Sequence, residues 1–185
     1  MIKDFNSYLN EIKKSTAEIQ DENLFFWGGW VCEELFSISE DILDDYLTKK
    51  EVLLIKDILL YIWSIVDDVN EMSVEKSKDY LTKLQNVDET NLDQTDYSEN
   101  ALYELIISLD AVLNFSISKK RGFEYNLSQS VINAIDSQLQ NEDIDILTDE
   151  GFHEVAVQKE INSQLSILKL MSEKKLDSNS KRLFR

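Results

Sequence analysis

The stretch TKKEVLLIKDILLYIWSIVDD, residues 48–68, decides the fold. Its apolar side chains recur at three- and four-residue spacing, which is typical of an α-helix. Thr48 and Glu51 have the spacing of a capping box, in which a hydroxyl and a carboxylate satisfy free amides at a helix start. We therefore predict a helix over residues 49–70. Because its apolar positions cover more than one face, we expect it to be the central helix, with Trp63 in the core.

The rest of the sequence has the same helical spacing. A second capping box is predicted at Ser37 and Glu40, and further helices are predicted to start near Asp21, Ser73 and Ser98. Proline is absent and glycine occurs four times, so residues that favour tight turns between strands are scarce. The sequence thus predicts an all-α fold, a bundle of six to seven helices.

Length and local composition set the expected domain boundaries. A chain of 185 residues is long enough for one well-buried hydrophobic core and too short for us to expect two. We therefore expect a single helical domain over residues 1–176. The stretch that follows, DSNSKRLFR, is polar and basic, and we expect residues 177–185 to form a mobile basic tail.

The charge balance favours some partners and disfavours others. The chain has 36 acidic and 19 basic residues, a formal net charge of −17. Such a field repels nucleic acid and anionic lipid and attracts basic proteins. The apolar run over residues 52–66 is interrupted by Lys56 and Asp57, so we expect no membrane span there. The lone Cys32 has no partner for an intramolecular disulfide, which suits a cytoplasmic location.

Three features contain the residue types of a chemical site, and we favour a structural interpretation for each. Glu150 and His153 have the Glu-x-x-His spacing of di-metal carboxylate proteins, but such sites use that motif twice and the chain has one histidine. Cys32 is interpreted as a small buried hydrophobe. The aromatic residues around Gly28 and Gly29 either form a binding platform or, as we favour, belong to the core where two helices approach closely. We therefore expect no cofactor, no metal and no catalytic residue.

Four segments carry a family resemblance. CEELF at residues 32–36, followed by ILLYIW at 58–63, resembles the pattern of the YjaG-like domain family of unknown function. SLDAVLNFSISKKRG at 108–122 and EVAVQKEINSQLSIL at 154–168 are similar to later helices of that family, although this chain lacks the family's proline after the Cys-Glu segment. The resemblance implies an all-helical fold and brings no catalytic residues. It leaves as one interpretation a cytoplasmic housekeeping protein that forms a homodimer or has an activity not recognisable in the sequence.

The chain also resembles, in size, acidity and helical class, the immunity proteins that bacteria make against their own nuclease toxins. That likeness implies a non-catalytic protein that binds and neutralises a basic toxin. We predict that two acidic connections contact the partner around apolar anchors. The predicted partner-binding residues are Glu40, Asp41, Asp44, Asp45, Tyr46, Asp88, Glu89, Leu92, Asp93, Asp96 and Tyr97. The alternative is that the acidity only keeps the protein in solution.

Overall fold

The computed structural model describes residues 2–185, which contain nine α-helices and no β-strand. The seven long helices are α1 (Phe5–Ala17), α2 (Asp21–Ser39), α4 (Lys49–Asp67), α5 (Val74–Leu84), α6 (Tyr97–Ser118), α7 (Glu124–Asn141) and α9 (Val155–Glu173). Single turns form α3 (Leu43–Tyr46) and α8 (Asp149–Phe152), and short 3₁₀ turns cover Glu40–Ile42, Val69–Glu71 and Ser178–Ser180. The predicted all-α bundle is confirmed.

The helix at the centre of the bundle is α2, and the prediction that α4 has this place is wrong. α2 packs against α4, α6 and α7, and its residues from Asn23 to Cys32 are all buried. α4 packs against α2 and α5 and leaves Leu53 and Leu60 more than 60% exposed. The apolar face of α4 is wider than its neighbours cover, so its width did not indicate a central position.

Two glycines allow the close packing around α2. A Cβ atom on Gly28 would lie 2.5 Å from Cγ2 of Val112 on α6, and one on Gly29 would lie 3.1 Å from Cζ2 of Trp63 on α4. Neighbouring helices therefore approach the α2 backbone on two sides, as we predicted. Trp27 and Trp30 next to the glycines have no exposed surface, so these aromatic side chains belong to the core and do not form a surface platform.

The predicted helix starts are partly confirmed. Thr48 and Glu51 form the capping box, with the Thr48 amide donating to Glu51 Oε2 at 2.7 Å. Ser37 forms no cap, because α2 continues through it to Ser39. α6 begins after Asp96 instead of Ser98: the Asp96 carboxylate accepts from two amides of the first turn. An aspartate cap at this position satisfies the donors that a serine cap would take.

Residues 177–185 are packed against the bundle, contrary to the predicted mobile tail. Asp67 at the end of α4 accepts hydrogen bonds from the amide and hydroxyl of Ser178, at 2.8 and 2.6 Å. The indole nitrogen of Trp30 donates to the Leu183 carbonyl at 3.1 Å, and the side chain of Arg185 is 11% exposed. The basic side chains of this segment meet carboxylates that lie far away in the sequence, so local composition did not indicate the packing.

α6 has the length and composition of a membrane-crossing helix. An 18-residue window of this helix reaches a mean hydropathy of 1.4, and 56% of the window is buried inside the bundle. α6 packs against α2, α5 and α7. The central helices of a compact bundle have the same composition, so the hydropathy of α6 is accounted for by its place in the core.

The contact between Gly28 and Val112 gives a test of the packing. We expect Gly28→Ala to destabilise the protein by about 1–2 kcal/mol, because a β-branched side chain in a helix has little freedom to move away from the added methyl group. The better helix propensity of alanine offsets part of this loss. Chemical denaturation measures the change.

The matched control is the same substitution in a Val112→Ala background, where the clashing methyl groups are gone. There Gly28→Ala should be neutral or stabilising. An equal loss of stability in both backgrounds would show that the Val112 contact does not determine the approach of the two helices.

Candidate functional site

The first predicted acidic set lies on the surface between α2 and α4. Leu43 and Leu47, one helical turn apart, are 2% and 6% exposed and hold this segment against the core. The side chains between them therefore face outward. Asp44, Asp45 and Tyr46 are all exposed, as are Glu40 and Asp41 in the preceding 3₁₀ turn.

The second predicted set lies in the connection between α5 and α6, where aspartates organise two turns. Asp88 Oδ1 accepts hydrogen bonds from the amide and hydroxyl of Thr90, at 3.0 and 2.6 Å. Asp93 repeats this arrangement with Thr95, at 2.9 and 2.7 Å. In each turn the threonine hydroxyl, and then the amide, stabilises the ionised carboxylate and lowers the pKa of the aspartate. Both carboxylates are therefore fixed in position while still exposed.

The two sets meet at Tyr46. The Glu99 carboxylate near its hydroxyl, partial desolvation and the charges of Asp96 and Asp45 raise the pKa of Tyr46 to about 12. Glu99 also accepts a hydrogen bond from the Asp93 amide at 2.7 Å, so one carboxylate joins both segments. We call this surface the acidic edge; it consists of Asp44, Asp45, Tyr46, Asp93, Asp96 and Glu99.

The sequence analysis did not identify Glu99 as a site residue. The signal was present, because Asp96 and Glu99 have the spacing of a capping box, with an acidic residue three positions after a cap. That spacing places Glu99 in the first turn of α6, beside the connection that carries Asp93. Its contact with Tyr46 joins residues distant in the sequence, and local spacing does not indicate such a contact.

Asp88 and Glu89 lie away from the acidic edge. Glu89 lines a hollow of about 250 Å³ together with Ile106, Ile107 and Asp110, which are about two and a half to three and a half turns along α6 from its start. The second predicted set is therefore divided between two places on the surface.

Two of the three predicted apolar anchors are not exposed. Leu92 and Tyr97 are half-buried and pack against the core. Burial, followed by the charges of Glu34 and Glu160, raises the pKa of Tyr97. Their side chains support the fold, and of the three residues Tyr46 alone is exposed, at 37%.

Within residues 2–185, the predicted partner-binding carboxylates have no counter-ion. Among residues 2–185, none of them lies within 4.0 Å of a basic side-chain nitrogen. Lys49 and Lys50 follow in the first turn of α4 and are exposed. Neither lysine forms an ion pair with any of residues 2–185. Mutual repulsion of the edge carboxylates is therefore screened by solvent instead of being neutralised by the protein.

The three features considered for chemistry lie apart from the acidic edge. Cys32 has no exposed surface, and burial followed by the charge of Glu33 raises the pKa of its thiol. His153 is exposed between α8 and α9, where its Nδ1 lies 2.7 Å from the Asp149 carbonyl oxygen. Across residues 2–185, no three or more His, Cys, Asp or Glu side chains form a group able to hold a metal ion.

One hollow lined by carboxylates lies beside α7. It has a volume of about 520 Å³, and Asp136, Asp143 and Asp145 are among its lining residues. Burial raises the pKa of Asp136, and the charge of Asp145 adds to this effect. No cysteine, histidine or basic side chain is among the lining residues, so the hollow does not combine a nucleophile with a base.

Comparison with known proteins gives no family for this chain. No protein-family model, no curated protein and no solved structure matches it.

The contact between Tyr46 and Glu99 predicts a titration. Glu99→Gln removes the carboxylate that favours the neutral phenol, so the pKa of Tyr46 should fall toward the ordinary tyrosine value of about 10. At about pH 11, Tyr46 should be mostly protonated in the wild type and mostly ionised in the variant. Tyrosinate absorbance, corrected by subtracting a Tyr46→Phe protein, measures this fraction.

Asp45→Asn is the control, because the charge of Asp45 is the smallest of the contributions to the pKa of Tyr46. It should change the titration less than Glu99→Gln does. If Tyr46 ionises like a free tyrosine in the wild type, the two acidic segments do not meet at this residue.

Proposed function

We propose that this chain is a non-catalytic binding protein whose acidic edge docks on a basic protein surface. The observation that carries the proposal is the concentration of unpaired carboxylates around an exposed tyrosine. A net charge of −17 speeds the encounter with a cationic partner and disfavours anionic ones. Tyr46 supplies an aromatic side chain in the middle of the edge, where binding energy in protein interfaces is usually concentrated.

The most specific form of this proposal is an immunity protein that neutralises a basic bacterial toxin, with a nuclease as the favoured toxin class. Nucleases that bind a polyanion present cationic surfaces, and an acidic protein of this size can cover such a surface. The chain would act in the cytoplasm, where such a toxin threatens the cell that makes it. A membrane or a nucleic acid is not a proposed partner, because its phosphates would be repelled by the same field.

The second candidate is a YjaG-like housekeeping protein that forms a homodimer. The observation that favours it is the pair Leu53 and Leu60 on α4, which are seven residues apart, lie on one face of the helix and are 61% and 67% exposed. A second copy would cover this face. A monomeric mass in light scattering at micromolar concentration would remove the support for this candidate.

Charge reversal of the acidic edge tests the first proposal. We expect Asp44→Lys with Asp45→Lys to slow association with the toxin encoded by the neighbouring gene about tenfold at low salt, because edge charges act mainly on the association rate. The difference should shrink as salt screens the charges. Stopped-flow association at several salt concentrations measures it, and protection of cells from that toxin measures the biological effect.

The matched control is Glu11→Lys on α1 with Glu18→Lys directly after its end, which changes the net charge equally at a helix that packs against α7 and α9. Reversal of Asp93 and Asp96 is a poorer test, because the loss of the Asp96 cap would itself destabilise α6 by about 1 kcal/mol. A neighbouring gene that encodes no toxin, or equal slowing by both pairs of substitutions, would refute the immunity proposal.

A further inference from the structure

Residues 177–185 contact the bundle through polar groups and through two cationic side chains. Lys181 Nζ lies 3.3 Å from Glu33 Oε1 on α2 and 5.8 Å from the ring centre of Trp63. The same Glu33 oxygen accepts a hydrogen bond from the Trp63 indole at 2.7 Å. This arrangement of a carboxylate, an aromatic ring and a cation recurs four residues later at Arg185.

The guanidinium group of Arg185 is enclosed on several sides. Its Nη1 lies 2.5 Å from Glu160 Oε2 on α9, and its Nε lies 3.5 Å from Glu34 Oε2 on α2. Its central carbon lies 3.2 Å from the ring centre of Trp30, and its Nη2 donates to the Trp30 carbonyl at 3.4 Å. The buried Nε makes no hydrogen bond within residues 2–185, so the contact with Glu34 is electrostatic.

These contacts match a guanidinium group better than an ammonium group. A planar guanidinium can stack on an indole while its edge nitrogens reach a carboxylate and a carbonyl. An ammonium group has no flat face, and in this space it would lose either the stacking on Trp30 or the contact with Glu160. The site is therefore shaped for arginine.

The carboxylate of Glu160 is held in place by other buried groups. Gln164 Nε2 donates to Glu160 Oε1 at 2.8 Å, and the Tyr8 hydroxyl donates to Gln164 Oε1 at 2.9 Å. Glu160 is 5% exposed, and burial raises its pKa against the opposing effect of Arg185. An ionised carboxylate buried in this way is stable when a cation occupies the site beside it.

We propose that Trp30, Glu34 and Glu160 form a binding site for an arginine side chain, and that the chain fills this site with its own Arg185. The ligand class is the guanidinium group of an arginine-bearing peptide, with residues 177–185 as the intramolecular example. A competing arginine peptide enters by displacing this segment, which uncovers Trp30. The inference goes beyond the proposed function and holds whether or not the acidic edge binds a basic protein.

Chemical rescue of an Arg185→Ala protein tests the proposal. Removing the side chain leaves Glu160 buried without its cation and opens a space beside Trp30. We expect methylguanidinium at millimolar concentrations to bind this variant saturably, raise its melting temperature and change its tryptophan fluorescence. Methylammonium should bind about tenfold more weakly, because it lacks the planar face. If the variant is unfolded, recovery of the helical signal in circular dichroism under the same titrations is the readout.

Two variants serve as controls. Arg182→Ala removes an exposed arginine from the same segment and should not respond to methylguanidinium. Arg185→Met removes the charge and fills the space, so it should not respond either. The proposal is overturned if Arg185→Ala does not respond, if both cations act equally, or if either control responds as strongly.

Discussion

The close approach of neighbouring helices to α2 at Gly28 and Gly29 determines the arrangement of the bundle. The Val112 methyl groups of α6 and the Trp63 ring of α4 occupy the space that side chains at these positions would fill. With α2 enclosed, its tryptophans reach the ends of other segments. The Trp27 indole donates to the Glu124 carbonyl at the start of α7, and the Trp30 indole donates to the Leu183 carbonyl. α2 thus positions both the core and residues 177–185, which pack against it.

The carboxylates of this protein fall into two physical classes. Glu124 and Glu160 are buried and ion-paired to Arg121 and Arg185, since a desolvated carboxylate without a cation is unstable. The carboxylates of the acidic edge are exposed, apart from the half-buried Glu99, and none has such a partner in residues 2–185. Because Arg121 and Arg185 are paired with buried carboxylates, they do not neutralise the acidic edge. The negative field is therefore concentrated at the surface, where a partner can meet it.

Local patterns predicted what depends on local geometry. Helical spacing indicated the long helices, and the spacing of Thr48 and Glu51 indicated a cap, because both signals are contained in a few consecutive residues. Which helix is central depends on how many neighbouring helices cover it. The wide apolar face of α4 did not indicate that α2, and not α4, has this position. The packing of residues 177–185 depends on Arg185 reaching Glu34 and Glu160, whose positions in the sequence give no sign of contact. The outward carboxylates were likewise predictable, but their meeting at Tyr46 was not.

The acidic edge combines carboxylates that accept hydrogen bonds from the protein with carboxylates that accept none within residues 2–185. The oxygens of Asp93 and Asp96 accept hydrogen bonds from their own turns, so these charges keep fixed positions. Asp44 and Asp45 are held outward by the backbone alone, and their side chains make no hydrogen bond to residues 2–185 that would restrict them. In a complex of the proposed kind, the fixed charges would bind a matching pattern of cations with little loss of side-chain entropy. The charges of Asp44 and Asp45 would act earlier, through a long-range field that orients an approaching cationic surface before contact.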